Sequence, residues 1–295
     1  MGTDGMDIRR CSADELELLV DYVAAHNLSG GHHIGYYGVT PGEIRSSITS
    51  LDIPFHEGFL LAYEAETLCG VLGVDYDQAI ERAWLYGPIV TMNPWSATAD
   101  ALYASVKSLI PVSIREHEMF VDAANSNCRE FAARHEFEQR GEWAIYHKRH
   151  DPMSSLPAVD VEEWDDQYAD QLETLHTRLF PDSNYTIRYM LDRLNDYNRL
   201  LLTTENGTLT GYLFMTFDPD SGEGYIDLIG VNERHQRAGI GRRLMLAGLE
   251  RFQRYPTFKQ VNLTVDRKNL AALRLYDSLG FIHERDMVAY RRKFT

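Results

Sequence analysis

The residues best placed to do chemistry are Gln236-Arg237-Ala238-Gly239-Ile240-Gly241, two glycines held between an apolar run and a helical pattern. Residues 224–231 supply Ile226, Leu228, Ile229 and Val231, the makings of a buried strand. Leu244, Leu246, Ala247, Gly248, Leu249 and Phe252 then suit a helix with a broad apolar face. A tight turn entering a helix leaves backbone N–H groups unpaired at the positive end of the helix dipole. Such a turn holds an anion, most often a phosphate, and glycines let the backbone approach it. The other eye-catching group, His32-His33, has no carboxylate or cysteine at ligand spacing and sits in a Gly-rich stretch, 29–38, that reads as a plain flexible loop. Cys11, Cys69 and Cys128 are scattered without metal spacing, so no metal is expected.

The elements that must position the glycine turn follow from pattern. Ser12 with Glu15 forms a capping box for a helix to about Asn27, and residues 43–51 form a second helix. Residues 59–64 and 68–75 read as a hairpin, 84–91 as a strand, 97–109 as a helix, 119–122 as a strand and 125–135 as a helix. Two strands, 137–141 and 143–148, close this half. Residues 151–160, with two prolines and two serines, read as a linker. The second half repeats the plan: helices 166–179 and 186–194, then strands 200–205 and 208–218 joined by Asn206-Gly207, the strongest hairpin signal in the chain. After the glycine turn and its helix come a strand at 260–265, a helix at 269–279 with Gly280 as its C′ residue, and strands at 281–285 and 288–293.

The two halves also match locally. Val121, Asn125, Cys128 and Phe137 align without gaps on Val265, Asn269, Ala272 and Phe281, and residues 85–90 align on 226–231. They differ where the chemistry would sit. Trp95, Thr98 and Asp100 stand opposite Gln236, Gly239 and Gly241, and an aspartate at the mouth of a phosphate loop repels the ligand. The first half is either a copy that has lost its cofactor loop or a shared fold with a different site. The expected domains are therefore 1–150 and 161–295, joined by 151–160.

Bulk properties narrow the class. The net charge of −15 argues against nucleic acid as the main partner. The charge is uneven: 11 basic against 22 acidic residues in 1–150, and 18 against 22 in 151–295. An acidic half either attracts a cationic amine or serves solubility alone. The chain has no apolar run of about 18 residues, so no membrane partner is expected, and residues 1–10 do not read as a secretory signal. With few cysteines this fits a cytoplasmic protein. Nothing in the sequence fixes the oligomeric state.

Gln236-x-x-Gly239-x-Gly241 after a strand, followed by Leu263-x-Val265-x-x-x-Asn269-x-x-Ala272-x-x-Leu275-Tyr276-x-x-x-Gly280-Phe281, resembles the GNAT superfamily of acyl-CoA-dependent N-acetyltransferases. The match is strong over about 200–295 and weaker, mostly in element order, over 1–150. A tandem layout with one degenerate half is similar to two-domain members of the mycothiol-synthase type. The resemblance implies an α/β fold of two tandem domains, each a mixed, mainly antiparallel twisted sheet flanked by helices. It implies acetyl-CoA as acyl donor, with Ile229 and Val231 on the pantetheine arm and the amides of Arg237, Ala238, Gly239, Ile240 and Gly241 on the pyrophosphate, after Gln236. Arg242 adds charge there or is a solvated helix residue. Asn269 and Tyr276, seven apart and so on one helix face, would reach the pantetheine amides and the thiol end.

Acetyl transfer needs a neutral amine, a polarised carbonyl and a protonated leaving thiolate. Tyr276 suits the last task, since a phenol is a proton donor. Asp227 stands where many members place a glutamate that deprotonates the amine; a histidine or a water chain is the alternative base. A second copy able to close over the acceptor favours a small-molecule primary amine. The competing readings are a non-catalytic acyl-CoA sensor or module, and a protein or peptide N-acetyltransferase.

Overall fold

The structure, a computed structural model, describes residues 6–153, 156, 157, 159–183 and 185–294. Ser154, Ser155 and Ala158 of the expected linker lie outside the described residues. The chain divides into two compact units, Met1–Trp143 with Asp286–Thr295, and Ala144–Arg285.

The first unit contains strand β1 (Met6–Arg10), helices α1 (Leu16–Asn27), α2 (Pro41–Thr49) and α3 (Phe55–Gly58), strands β2 (Phe59–Glu64), β3 (Thr67–Asp77) and β4 (Arg82–Val90), helix α4 (Trp95–Val106), strand β5 (Glu116–Asp122) and helix α5 (Ser126–Arg134). The Ser12–Glu15 capping box is present and leads into α1 through a short 3₁₀ turn. A second box, Thr40 with Glu43, opens α2 two residues earlier than its apolar spacing suggests, because Pro41 serves as its first residue. The expected flexible loop at 29–38 is tied down: Asn27 Oδ1 accepts from the Ile34 amide at 2.7 Å, and His33 Nδ1 meets the Asn27 carbonyl at 2.6 Å. Within this unit the sheet runs β1-β2-β3-β4-β5, antiparallel except for the short parallel pairing of β4 with β5. Strand β1 has no apolar alternation to announce it; its residues are partly or largely exposed at the sheet edge.

Strand β6 (Glu138–Arg149) runs unbroken through Gly141, where a break into two strands is expected from sequence. The second unit continues with β7 (Glu162–Glu163), helices α6 (Ala169–Leu179) and α7 (Ile187–Asp192), strands β8 (Arg199–Glu205), β9 (Thr208–Asp218) and β10 (Glu223–Val231), helix α8 (Ile240–Gln253), strand β11 (Gln260–Asp266), helix α9 (Leu270–Ser278) and strand β12 (Ile282–Lys293). Its sheet repeats the order: β7-β8-β9-β10-β11, with β10 and β11 parallel, then β6. Asn206 and Gly207 both take positive φ, 51° and 75°, the geometry a two-residue hairpin turn requires. Strand β12 is also one strand rather than the two that its charged middle suggests.

The units differ from the expected boundaries at both ends. Asp286–Thr295 belongs with the first unit and Ala144–His150 with the second. The reason is pairing. Met287–Lys293 runs antiparallel to Asp122–Glu116 and gives β5 its outer neighbour. Charges pin the register: the buried Arg291 guanidinium meets Glu118 at 2.6 Å and Glu116 at 3.4 Å, and Arg82 and Lys293 reach Glu116 at 3.0 and 2.9 Å. Burial alone would raise the Glu116 carboxyl, but Lys293, Arg82 and Arg291 hold it below its usual range. At the other exchange, the His150 amide donates to the Lys259 carbonyl at 2.7 Å.

Candidate active site

Two irregularities in β10 build the site. Its parallel pairing with β11 runs from Glu223 opposite Gln260 to Ile226 opposite Leu263 and ends there. Beyond Ile226 the described pairing of β10 is with β9 alone, so the stretch carrying Ile229 and Val231 offers one backbone edge to a ligand. At the same point the β9 register shifts between Ile226 and Leu228, which leaves Asp227 as the bulge residue.

Asp227 is held by the segment after α6, which Phe180-Pro181 brings to an end. Tyr185 Oη donates to Asp227 Oδ1 at 3.0 Å, while Oδ2 is out of solvent with no partner of hydrogen-bonding geometry. Burial pushes the carboxyl up to about 7, against the Thr216 and Tyr185 hydroxyls, whose hydrogen bonding favours the charged form. A carboxyl poised at neutral pH with an open oxygen is suited to take and give a proton.

The glycine turn has the form its sequence requires. Asn232 Oδ1 accepts from the Arg234 amide, a short 3₁₀ turn covers Glu233–His235, and Arg237 and Gly239 take positive φ, 63° and 79°. Gly239 is the N-cap of α8 and no side chain caps that helix, so its first amides are free to point outward. Residues 236–239 are exposed. A Cβ on Gly239 would meet nothing within 4 Å, and one on Gly241 would make only ordinary contact with Leu275 at 3.4 Å. The protein's own packing therefore leaves the space beside Gly239 open and that beside Gly241 uncrowded, which fits a phosphate group at the turn. Gln236 Nε2 lies 3.4 Å from the Val231 carbonyl and ties the turn to the strand end. Arg242 donates to Ser278 Oγ at 3.0 Å and so braces α8 against α9.

Tyr276 is buried, 4% exposed, among Tyr146 and Phe281, with ring centroids 6.4 and 5.8 Å away. Burial raises its phenol, so it stays protonated. Among the described residues its hydroxyl makes no hydrogen bond, and no hydrogen bond or ring pairing joins Tyr276 to Asp227 or the glycine turn. Asn269 is not on the helix face shared with Tyr276: α9 begins at Leu270, and Asn269 is its N-cap, accepting from the Ala272 amide at 3.1 Å. Asn125 does the same for Cys128 at 3.0 Å at the start of α5. The fold itself uses an asparagine at both positions.

The first unit lacks the same features. Tyr86 stands in the Asp227 position, packed against Tyr36, Tyr37 and Phe59 at 5.1, 5.4 and 6.1 Å. Pro88, opposite Ile229 in the repeat, has no N–H to offer. Asp100, expected to repel an anion, is instead bonded to Arg134 and His135 at 2.9 and 2.8 Å. His33 is bound to Asn27, and no cluster that could hold a metal ion occurs among the described residues.

Sequence reasoning missed Tyr185, Thr216 and a buried pair, His176 and Tyr212, whose ring nitrogen Nδ1 and hydroxyl lie 2.7 Å apart. The residues that meet at Asp227 are far apart in the chain, so no local spacing marks them.

Residues 159–281 match the family described as Acetyltransferase (GNAT) family. The chain is 40% identical over 98 residues to a mycothiol acetyltransferase of Thermobispora bispora, covering 31% of this chain and 32% of that one. It is 31% identical over 103 residues to the catalytic subunit of an N-terminal acetyltransferase A complex of Arabidopsis thaliana, covering 33% and 54%. The chain thus spans about a third of the mycothiol acetyltransferase and about half of the second relative. Among solved structures, a GCN5-related N-acetyltransferase from Sphaerobacter thermophilus superimposes with a TM-score of 0.77 at 15% identity, covering 99% and 97% of the two chains. A tandem GNAT protein from the clavulanic acid biosynthesis pathway gives 0.67 at 16%, covering 98% of each. Residues 159–281 therefore form a domain of the GNAT acetyltransferase family, in a chain whose fold is that of tandem GNAT proteins.

Proposed function

We propose that the protein is an N-acetyltransferase that moves an acetyl group from acetyl-CoA to the primary amine of a small molecule, and that the second unit carries the reaction. The observation that carries this is Asp227: a carboxyl on a strand bulge, raised to about 7, with one oxygen unpartnered. The Gly239 turn and the amides of residues 237–241 would hold the pyrophosphate, and the free edge of β10 at Ile229 and Val231 the pantetheine arm. The amine nitrogen attacks the thioester carbonyl, so the N–C bond forms and the C–S bond breaks. Before attack Asp227 takes one proton from the ammonium, whose ordinary pKa is near 10, and passes it to solvent; the second nitrogen proton, lost as the amide forms, replaces the one given up by the phenol. Tyr276, kept protonated by burial, supplies the proton for the departing thiolate. Arg242, bonded to Ser278, braces the turn, and Asn269 caps α9, so neither needs to touch the donor directly.

The first unit, with Tyr86 and Pro88 in place of Asp227 and Ile229, is read as a non-catalytic copy. Likeness to mycothiol acetyltransferases supports a small-molecule acceptor, and likeness to an N-terminal acetyltransferase subunit supports a peptide. We take the first because its identity is the higher. A cytoplasmic setting belongs to the same reading and rests on three free, buried thiols, Cys11, Cys69 and Cys128. The experiment is release of CoA from acetyl-CoA across a panel of polyamines, amino acids, aminoglycosides, amino sugars and peptides. Turnover with a small amine supports the reading. Turnover confined to peptides makes it a peptide acetyltransferase, and tight CoA binding with no turnover makes it an acyl-CoA sensor.

A further inference from the structure

His176 lies on α6 with 5% of its surface exposed, and its Nδ1 is 2.7 Å from the hydroxyl of Tyr212 on β9. Tyr212 is fully buried and crosses the backbone of β10 closely: a Cβ on Gly230, its register partner, would lie 2.6 Å from the Tyr212 ring. The Tyr185 backbone is the one other polar group that bears on the His176 ring, in the sense that favours a ring N–H aimed at it. One neutral tautomer would serve all three groups: with Tyr212 O–H donating to Nδ1, the Nε2–H is left to donate to the Tyr185 carbonyl. Burial favours that neutral form. Tyr185, so anchored, donates its own hydroxyl to Asp227 at 3.0 Å.

We infer that His176 is a positioning residue: bridging Tyr212 and the Tyr185 backbone, it holds the Tyr185 phenol on Asp227 and thereby orients the acceptor-side carboxylate. This rests on the reading of Asp227 as the group that receives the amine proton. A buried histidine with two partners is otherwise an ordinary satisfied core residue, so the test must read Asp227 itself. The influences on that carboxyl are burial, the Thr216 and Tyr185 hydroxyls and its own backbone amide, with no charged side chain among them. It is therefore a clean reporter of the Tyr185 hydrogen bond.

The experiment is a pH titration of protein labelled with carboxyl-¹³C aspartate, the Asp227 resonance being identified by its absence in Asp227→Asn. Losing a donor to the charged form raises a carboxyl pKa, here by about one unit for one hydrogen bond to a charged group. Tyr185→Phe is expected to move the Asp227 midpoint up by that amount. His176→Leu should move it up equally, the double variant no further, and His176→Gln, which can still donate and accept, should restore it. CoA binding by calorimetry should be unchanged throughout. An unmoved midpoint in a folded His176→Leu protein overturns the inference and leaves His176 as core packing. If that variant does not fold, Tyr212→Phe removes the donor to His176 and is judged on the same midpoint: an upward shift supports the inference and none overturns it. Amine turnover by Asp227→Asn separates the two levels: undiminished turnover defeats the reading of Asp227, while lost turnover beside an unmoved His176→Leu midpoint defeats only the inference about His176.

Discussion

Tyr185 donates to Asp227 at the one residue of β10 left over in its ladder with β9. A carboxyl at this bulge is turned out of the regular pairing, yet its Oδ2 is out of solvent and no cation bears on it. A carboxyl pKa raised in this way opposes folding at neutral pH and is retained where chemistry uses it.

The cost is measurable. With a folded-state pKa near 7 against 3.8 unfolded, the stability linked to protonated Asp227 is fully present below 3.8 and is lost as pH rises through 7. Asp227→Asn should therefore melt at a higher temperature than the parent at pH 8, with the gap closing towards pH 4. Thermal melts at the two pH values check this; a lower melting temperature at pH 8 would mean that the carboxylate is stabilising.

Gly239 is required by its φ of 79° rather than by crowding, since nothing lies where its Cβ would be. Gly239→Ala should lose about 1 kcal/mol of stability from backbone strain. Its larger effect should be on the donor, with CoA affinity in calorimetry falling ten-fold or more as the turn amides move off the pyrophosphate. Unchanged affinity would place the donor elsewhere.

The Tyr276 hydroxyl has no hydrogen-bond partner among the described residues, so removing it leaves none unsatisfied. Tyr276→Phe should keep the parent's stability within about 0.5 kcal/mol. Its kcat with the best amine should drop by about 10²-fold. A drop in stability with full turnover would reverse the assignment.

His117 bonds Tyr103 at 3.0 Å beneath Phe294, and burial lowers its pKa to about 4. Its contribution is present above 6.5, the unfolded value, and is lost as pH falls through 4. About 3 kcal/mol is at stake in the full window. Urea unfolding from pH 7 to pH 4 should show a steeper loss of stability in the parent than in His117→Gln.

The returning end of β12 makes the first unit depend on the last residues of the chain. Arg291→Ala strands Glu118 beside the buried strand pair and should cost roughly 3–5 kcal/mol. Circular dichroism melts of that variant, set beside Arg188→Ala at an exposed site, separate this pair from a general loss of surface charge.

What could be read from the sequence was what is local. The Gly239 turn was legible because positive φ calls for glycine, and the Asn206-Gly207 hairpin for the same reason. The repeat was legible because its apolar positions recur in register. Asn269 misled because seven-residue spacing marks one helix face only if both residues are helical, and a cap residue is not. Strand β1 was missed because an exposed edge strand needs no apolar alternation. The exchange of β6 and β12 and the pairing of Tyr185 with Asp227 are non-local, decided by which strand edge or hydroxyl meets which, and no spacing encodes them.

The most direct test of Asp227 as the base is kcat/KM for the best amine from pH 5.5 to 9 in the parent and in Asp227→Asn. The parent should lose activity below a midpoint near 7, as the base is protonated. Asp227→Asn should be about 10²- to 10⁴-fold slower, with that midpoint gone. An Asp227→Asn enzyme with the parent's rate and the same acid limb would contradict the assignment.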